Sequence, residues 1–215
     1  KWYPLLTLPM FIFMGYVLSE SKIADDLYKM FHVWMGGLSG GLAVGTIGLM
    51  VLISAMNGLS VAGMAIGATI ALLCDMIVSD DKALIGDPHV KVGLVAGDGG
   101  AVIWPQLVGF AKAKELLMTG DLLTAPEAKD LGLINYAVPT DQLDAKVDEL
   151  VAKLQGNPKW AVRWTKTVSN IPLRALAAQI MDAAIGWEAV SNFHSDRKEA
   201  VAAMREKRPP QLTGE

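Results

Sequence analysis

Residues 74–104, CDMIVSDDKALIGDPHVKVGLVAGDGGAVIW, contain the features that decide the fold and the chemistry of this chain. An apolar run and an acidic turn lead to His89, then to the alternating residues 90–92, which are predicted to be extended, and to the glycine-rich turn at 97–100. His89 and Asp98 flank this segment and could converge on one pocket as an acid/base pair. The alternative is structural, with His89 capping a turn and Asp98 helping to begin the next helix.

Landmarks of one family recur along the chain after residue 67. They are Cys74-Asp75, Pro88-His89, Gly93, the turn at 96–100, and the segments 108–109, 117–120, 128–135 and 206–209. These residues are similar to the enoyl-CoA hydratase/isomerase (crotonase) family. The resemblance implies an α/β fold of the ClpP/crotonase type, with a partial spiral core at residues 67–140, a C-terminal helical region at 141–215, and apolar helices before them.

The same resemblance implies an enzyme that acts on an acyl-CoA thioester or a related β-dicarbonyl compound. Coenzyme A would be part of the substrate, no separate cofactor or metal is expected, and the assembly would be a homotrimer or hexamer.

Two positions depart from the family pattern and change the predicted chemistry. Without gaps, the two glutamates that act in the hydratases fall at Thr69 and His89, and neither residue is a carboxylate. Asp98 lies where some isomerases of the family carry a catalytic aspartate. The sequence GDGGAVIWP is similar to the corresponding segment of family members that cleave a carbon–carbon bond of a β-diketone with histidine and aspartate. The resemblance therefore implies catalysis by His89 and Asp98, through isomerisation or carbon–carbon hydrolysis rather than hydration.

The family also binds a thioester oxygen between two backbone N–H groups. One of them lies at a helix N-terminus, where the helix dipole stabilises a developing oxyanion. Counting back from Cys74, the resemblance assigns this donor to Ile66, with Gly67 matching the last glycine of the family's triplet. The loop that carries the other donor is not found before residue 60, and losing one donor would cost roughly 3–4 kcal/mol in the transition state.

The C-terminal part has the pattern of successive helices. Thr124 and Glu127 have the spacing of a capping box, and Trp160 and Trp164 fall one helical turn apart, which favours packing over ligand stacking. By the family resemblance, the Lys207-Arg208 pair would bind a phosphate of coenzyme A. The alternative is a solvated tail.

Composition limits the other classes of function. A net charge of −3 and a pI near 5.6 give no basic surface for nucleic acid. The length of 215 residues suffices for a full core. A single cysteine, Cys74, excludes a disulfide framework and is typical of a reducing compartment, which predicts a cytoplasmic protein; its apolar surroundings predict a buried thiol.

The first third of the chain has a different character. Residues 2–19 and 36–74 carry no charge, and the second run is rich in glycine, as is common where membrane helices pack closely. LPMFIFMGYVLSES, ADDLYKMFHVWMGGL and GGLAVGTIGLMVLISAMNG are similar to the large membrane subunit of tripartite ATP-independent periplasmic transporters. Residues 1–66 are therefore predicted to be transporter-like apolar helices, and residues 2–72 would be the part that contacts a membrane. The alternative function is a transporter fragment fused to an inactive crotonase remnant.

Overall fold

The structure, a computed structural model, describes residues 60–214, with side chains from Met64 onward. Its helices are α1 (Ser60–Leu72), α2 (Gly100–Val108), α3 (Phe110–Thr119), α4 (Ala125–Asp130), α5 (Leu143–Gln155), α6 (Lys159–Ser169), α7 (Ile171–Ser191) and α8 (Ser195–Glu206). Its strands are β1 (Val78–Asp80), β2 (Leu84–Ile85), β3 (Leu123–Thr124) and β4 (Tyr136–Val138), and 3₁₀ helices cover His89–Val92 and Thr140–Gln142. The predicted apolar helices before residue 60 lie outside the described residues.

Strands that are distant in sequence pair in two small sheets. β1 pairs with β4 in parallel, with Val78 opposite Tyr136, and β2 pairs with β3 antiparallel, with Leu84 opposite Thr124. A parallel pair needs a long crossover between its strands, and here α2, α3 and α4 lie within that connection. The order of elements is that of an α/β protein, as predicted.

The core lies where α1, α2, α3 and α4 meet. Trp104 on α2 is fully buried at its centre. The buried cluster consists of Leu72, Ile103, Trp104, Ala113, Leu116, Ala125, Ala128, Leu133 and Ile134. Because α2 contributes to this cluster, its N-terminus, which follows the turn carrying Asp98, is held in place by the core.

A local sequence signal marks the start of α4. The capping box is confirmed: the Glu127 N–H donates to Oγ1 of Thr124 at 3.4 Å, and the Thr124 N–H donates to Oε2 of Glu127 at 2.8 Å. Pro172 lies in the first turn of α7, which begins at Ile171. Proline is well tolerated in the first turn of a helix, where its missing N–H would have no partner within the helix.

The predicted burial of Cys74 is wrong. Cys74 is exposed; it lies just beyond the end of α1, and its thiol donates to the carbonyl of Ile70 at 3.4 Å. Trp160 and Trp164 are also exposed, and their rings stack on each other with centroids 5.7 Å apart. An apolar residue type predicts burial only when another element covers it, and α6 has no buried residue.

The predicted boundary between residues 66 and 67 falls inside the continuous helix α1. Within residues 60–214, none of the helices has both the length and the apolar character that crossing a bilayer requires.

Candidate active site

A short 3₁₀ helix, not an extended segment, positions His89. The chain turns at Pro88, forms the 3₁₀ helix His89–Val92 and leaves it at Gly93, whose φ of 70° is in the left-handed region that favours glycine. The Leu94 N–H donates to the carbonyl of His89 at 3.0 Å and closes this turn. The prediction of an extended run at 90–92 is therefore wrong, because three alternating residues are too few to outweigh the flanking proline and glycine.

Asp87 holds the imidazole of His89. Its Oδ1 lies 2.6 Å from Nδ1 of the ring, and the side chains of His89 and Asp87 are only 2% and 1% exposed. The same Oδ1 accepts the backbone N–H of His89 at 3.4 Å. Sequence analysis missed Asp87, although an aspartate two positions before a histidine is well placed for such a local contact.

Asp98 lies at the other end of the same ring. Its Oδ2 is 3.8 Å from Nε2 of His89, and its side chain is 19% exposed. The structure thus brings the two predicted catalytic residues together, at a separation somewhat longer than a hydrogen bond. Asp98 is the most exposed member of the three, although both of its carboxylate oxygens are buried.

Several buried oxygen atoms around this pair have no hydrogen-bond partner. They are both carboxylate oxygens of Asp98, Oδ2 of Asp87 and Oγ1 of Thr69. Thr69 packs against the Asp98 turn, since a Cβ placed on Gly99 would lie 2.9 Å from Cγ2 of Thr69. Buried polar atoms are usually paired in proteins, so this cluster is able to accept hydrogen bonds from a polar ligand.

The last two helices, α7 and α8, contact the backbone of the site. The Val95 N–H donates to Oγ of Ser191 on α7 at 3.2 Å. On α8, the Arg197 guanidinium donates to the carbonyl of Val92 at 3.0 Å. Gly97 touches α7 so closely that a Cβ there would collide with the carbonyl of Ala184. The C-terminal helices therefore position the turns that carry His89 and Asp98.

Opposing effects set the protonation of these groups. Burial lowers the pKa of His89, but the hydrogen bond that its ring donates to Asp87 and the charges of Asp87, Asp98 and Glu188 outweigh it, so the pKa is raised from 6.5. Burial raises the pKa of Asp98, and the repulsion of Asp87 adds to this against the attraction of His89. The pKa of Glu188 on α7 is raised in the same way, mainly by burial. The raised pKa of each group, with the other close by, suits the pair to share a proton.

Asp87, His89 and Asp98 also provide potential metal ligands. One ligand atom from each lies within 4.8 Å of the other two. However, Oδ1 of Asp87 is already bonded to Nδ1, so for an ion at Nε2 it would act as the outer partner that orients the histidine. The donor arrangement fits proton transfer more directly, and the expectation of a metal-free site stays a prediction.

The residues assigned to the oxyanion site lie inside a helix and not at its N-terminus. Ile66 and Gly67 are inside α1, which begins at Ser60. Beyond the first four residues of an α-helix, each N–H donates to the carbonyl four residues earlier. The N–H groups of Ile66 and Gly67 therefore lie within the helix, whereas an oxyanion would bind at a helix N-terminus. The predicted donor is not found at the positions assigned to it in α1.

The predicted coenzyme A ligands differ from each other. Arg208 is already bound, with its guanidinium donating to both oxygens of Glu199 and to Glu206. This pairing raises the pKa of Arg208 and lowers that of Glu199 to about 2. Lys207 is exposed at the end of α8, in a left-handed conformation with φ of 55°. Of the two, Lys207 is the better placed to bind a phosphate.

A cavity of about 660 Å³ lies away from this site. It is bounded by the end of α1, by α2, and by α6 and the start of α7, and neither His89 nor Asp98 lines it. Buried titratable groups converge at His89 instead, and such clusters are typical of functional sites.

The parallel β1–β4 pair, the helical crossover and the closing C-terminal helices define a crotonase-like fold. A carnitinyl-CoA dehydratase structure from Mycobacterium avium 104 shares it with a TM-score of 0.66 and 28% identity, covering 72% of this chain and 60% of that one. A β-diketone hydrolase from Anabaena sp. PCC 7120, bound to (S)-3-oxocyclohexyl acetic acid, matches with a TM-score of 0.54 and 25% identity, over 57% of this chain and 49% of that one.

The family model for enoyl-CoA hydratase/isomerase matches residues 41–215. The chain belongs to the enoyl-CoA hydratase/isomerase family. A short-chain-enoyl-CoA hydratase of Clostridioides difficile is 35% identical over 161 residues, which are 72% of this chain and 97% of that relative. Other relatives are longer: the chain spans 56% of a probable mitochondrial enoyl-CoA hydratase of Dictyostelium discoideum, at 33% identity over 74% of this chain.

A second sequence model matches the beginning of the chain. The model of the DctM component of tripartite ATP-independent periplasmic transporters matches residues 2–76. The two matches overlap at 41–76, so the enoyl-CoA hydratase/isomerase similarity begins earlier than the predicted residue 67.

Proposed function

We propose that this chain is a carbonyl-directed enzyme of its family in which His89 and Asp98 transfer protons and Asp87 orients His89. The observation that carries the proposal is the buried Asp87–His89 contact of 2.6 Å, with Asp98 at the opposite ring nitrogen. The substrate class is an acyl-CoA thioester or a related β-dicarbonyl compound. The family membership and the likeness to a β-diketone hydrolase support this class.

Hydrolysis of a carbon–carbon bond balances with water as the only co-reactant. Water bonds to one carbonyl carbon while Nε2 of His89 takes its proton. The bond from that carbon to the neighbouring α-carbon then breaks, and the electron pair goes to the α-carbon, where the second carbonyl stabilises it as an enolate. Asp98, whose pKa is raised by burial, donates a proton to the α-carbon and regains one from His89. The products are a carboxylic acid and a ketone, joined in one molecule when the substrate is cyclic.

Isomerisation of an unsaturated thioester uses the same pair more simply. One group removes a proton next to the carbonyl, and the other returns a proton at a different carbon. Hydration of an enoyl thioester by two glutamates is a poorer match, since the family positions fall at Thr69 and His89. We therefore expect isomerisation or carbon–carbon hydrolysis to exceed hydration.

The test is a substrate comparison with the purified full chain. Cyclic β-diketones, unsaturated acyl-CoA thioesters and crotonyl-CoA are assayed side by side, with Asp98→Asn as the inactive reference. The proposal expects β-diketone cleavage or double-bond migration, and expects either to be abolished by Asp98→Asn. Efficient hydration of crotonyl-CoA that survives this substitution would contradict it.

A second candidate rests on the transporter-model match at residues 2–76. In this alternative the N-terminal part belongs to a membrane protein and the family portion is an inactive remnant. Purification with and without detergent separates the two candidates: the enzyme proposal expects an active protein that stays in solution without detergent. A chain that needs detergent and turns over none of the three substrate classes would favour the remnant.

A further inference from the structure

The cluster around His89 carries more acidic groups than one imidazole can neutralise. Three carboxyl groups, those of Asp87, Asp98 and Glu188, act on the ring of His89. Burial is the main reason that the pKa of Glu188 is raised, and repulsion by Asp98 and Asp87 adds to it. Like charges that are held close together in a partly buried site disfavour one another's ionised form. A cation placed among these carboxyl groups would relieve the repulsion.

The gap between His89 and Asp98 has the size of a metal site. Nε2 of the ring and Oδ2 of the carboxylate are 3.8 Å apart, which is too long for a hydrogen bond. Zinc lies about 2.0–2.1 Å from a histidine nitrogen and about 2.0–2.2 Å from a carboxylate oxygen. One ion can therefore bind both atoms at once, because the two bonds together span up to about 4.2 Å. Both oxygens of Asp98 lack a hydrogen-bond partner among the described residues.

Asp87 holds the imidazole in the orientation that a metal site needs. Its Oδ1 lies 2.6 Å from Nδ1 of His89, so the neutral ring carries its proton at Nδ1 and keeps a lone pair at Nε2. A carboxylate behind a metal-binding histidine is the usual arrangement in zinc sites, where it fixes the ring and makes the nitrogen a stronger ligand. Oδ2 of Asp87 is also buried without a partner in the described part of the chain. This buried, unpaired oxygen is a second indication that the cluster accepts a ligand.

We propose that this cluster binds one Zn²⁺ ion, with Nε2 of His89 and a carboxylate oxygen of Asp98 as ligands and Asp87 as the partner that orients the ring. Water completes the coordination of the ion. The imidazole ligand selects zinc over magnesium, which prefers oxygen ligands. The bound ion occupies the two groups that exchange protons, so it inhibits the enzyme and is not a cofactor. Only this inhibition rests on the proposed function, whereas the binding rests on the geometry of the cluster.

The first experiment is a calorimetric titration of the untagged full chain with ZnCl₂. We expect one bound ion per chain, and no binding of MgCl₂ at the same concentrations. His89→Gln and Asp98→Asn each remove a ligand and should abolish the binding of zinc. Asp87→Asn keeps both ligands and should weaken binding by roughly 10- to 100-fold, the range for a lost outer partner. This graded effect tests the site even if one of the ligand variants fails to fold.

The other two histidines of the chain provide matched controls. The sequence contains three histidines, and His32→Gln and His194→Gln should bind zinc like the wild type. Cys74→Ser, which removes the exposed thiol, should do the same. Thermal unfolding gives a second readout, because an ion that binds only the folded state stabilises it. Zinc should therefore raise the Tm of the wild type and of the three controls, and should leave the Tm of Asp98→Asn unchanged.

Inhibition is measured on the substrate that the chain converts best. Zinc should lower the rate over the concentrations that fill the site, and a chelator should restore it. Full activity at saturating zinc would contradict the inhibitory role. A chain that binds zinc at His89 but converts none of the three substrate classes would refute the proposed function and leave the metal site standing.

The metal site itself is overturned by any of three results, whatever the activity of the chain. The first is a wild type that takes up no zinc. The second is a His89→Gln or Asp98→Asn variant that binds zinc as tightly as the wild type. The third is binding that is lost on substitution of His32 or His194 instead.

Discussion

Oδ1 of Asp87 lies 2.6 Å from Nδ1 of His89, with both side chains almost fully buried. This contact fixes the orientation of the imidazole and leaves Nε2 facing Asp98, 3.8 Å away. A histidine held at one nitrogen presents the other to a substrate in a defined protonation state. In the proposed function, Asp87 orients His89, and His89 and Asp98 transfer protons.

The first prediction concerns the two proton-transfer residues. Asp98→Asn should abolish the carbonyl chemistry, because the amide cannot exchange a proton at this position. His89→Ala should lower the rate by roughly 100- to 10,000-fold, the range for a lost general acid or base. Steady-state kinetics on the best substrate measure both. Asp130→Asn, an exposed residue at the end of α4, is the control and should leave the rate unchanged.

The second prediction concerns Asp87, which acts through His89. Asp87→Asn should lower kcat by up to roughly 100-fold, and by less than His89→Ala does, because the imidazole remains but loses its orientation. It should also move the kinetic pKa assigned to His89 downward, since the hydrogen bond and charge of Asp87 help to raise it. The pH profile of kcat measures this shift. Asp121→Asn, on an exposed aspartate, should give a wild-type profile, and an unmoved profile for Asp87→Asn would contradict the role.

The third prediction follows from the raised pKa values. The folded protein holds the His89 proton more tightly than the unfolded chain, whose reference pKa is 6.5. His89 therefore stabilises the fold fully below that pH, and this contribution is lost as pH rises through the folded-state pKa. Above pH 6.5, the Tm of the wild type should therefore fall more steeply with rising pH than the Tm of His89→Gln. Parallel slopes for the two proteins would refute this.

Asp98 adds a related expectation at neutral pH. Its pKa is raised from 3.8, with burial as the largest cause, so the ionised form is disfavoured in the folded state. The fold gains stability as pH falls through the raised pKa, and the charged group is a cost above it. Asp98→Asn should therefore have a higher Tm than the wild type near pH 7, although it is inactive.

The fourth prediction tests how closely α7 packs on the Asp98 turn. Gly97→Ala adds a Cβ that would meet the carbonyl of Ala184 and come within 2.8 Å of Cβ of Glu188. Overpacking of this kind destabilises by about 1–3 kcal/mol. Gly186→Ala is the matched control, because that glycine lies within α7 and has nothing within 4 Å of its added Cβ. It should stabilise by about 0.5–1 kcal/mol, and urea unfolding of both variants measures the contrast.

The fifth prediction separates the two C-terminal cations. Lys207→Gln should raise KM for a coenzyme A thioester severalfold, by the loss of a phosphate contact, and should leave KM for a β-diketone unchanged. Arg208→Gln should act mainly on stability, because its guanidinium is committed to Glu199 and Glu206. KM and Tm of both variants are measured together. An equal effect of the two substitutions on KM would count against this division.

Sequence alone determined the local and family-level features of this protein. The Thr124–Glu127 capping box and the succession of C-terminal helices followed from residue patterns that act over a few residues, and the family resemblance implied the α/β fold. His89 could be singled out because it departs from the family pattern at a defined position, and Asp98 because some isomerases of the family carry a catalytic aspartate there. The model match at 41–215 confirms the family that these residues indicated.

Only the tertiary structure decided which groups face one another. Asp87 emerged as the partner of His89 because a 3₁₀ turn, set by Pro88 and Gly93, directs both side chains inward. The interior position of Ile66 in α1 removed the oxyanion assignment, since an N–H within a helix is already bonded. The exposure of Trp160 and Trp164 depended on which elements cover α6. Burial and partnership arise from contacts between distant segments, and a residue's type and its near neighbours do not specify them.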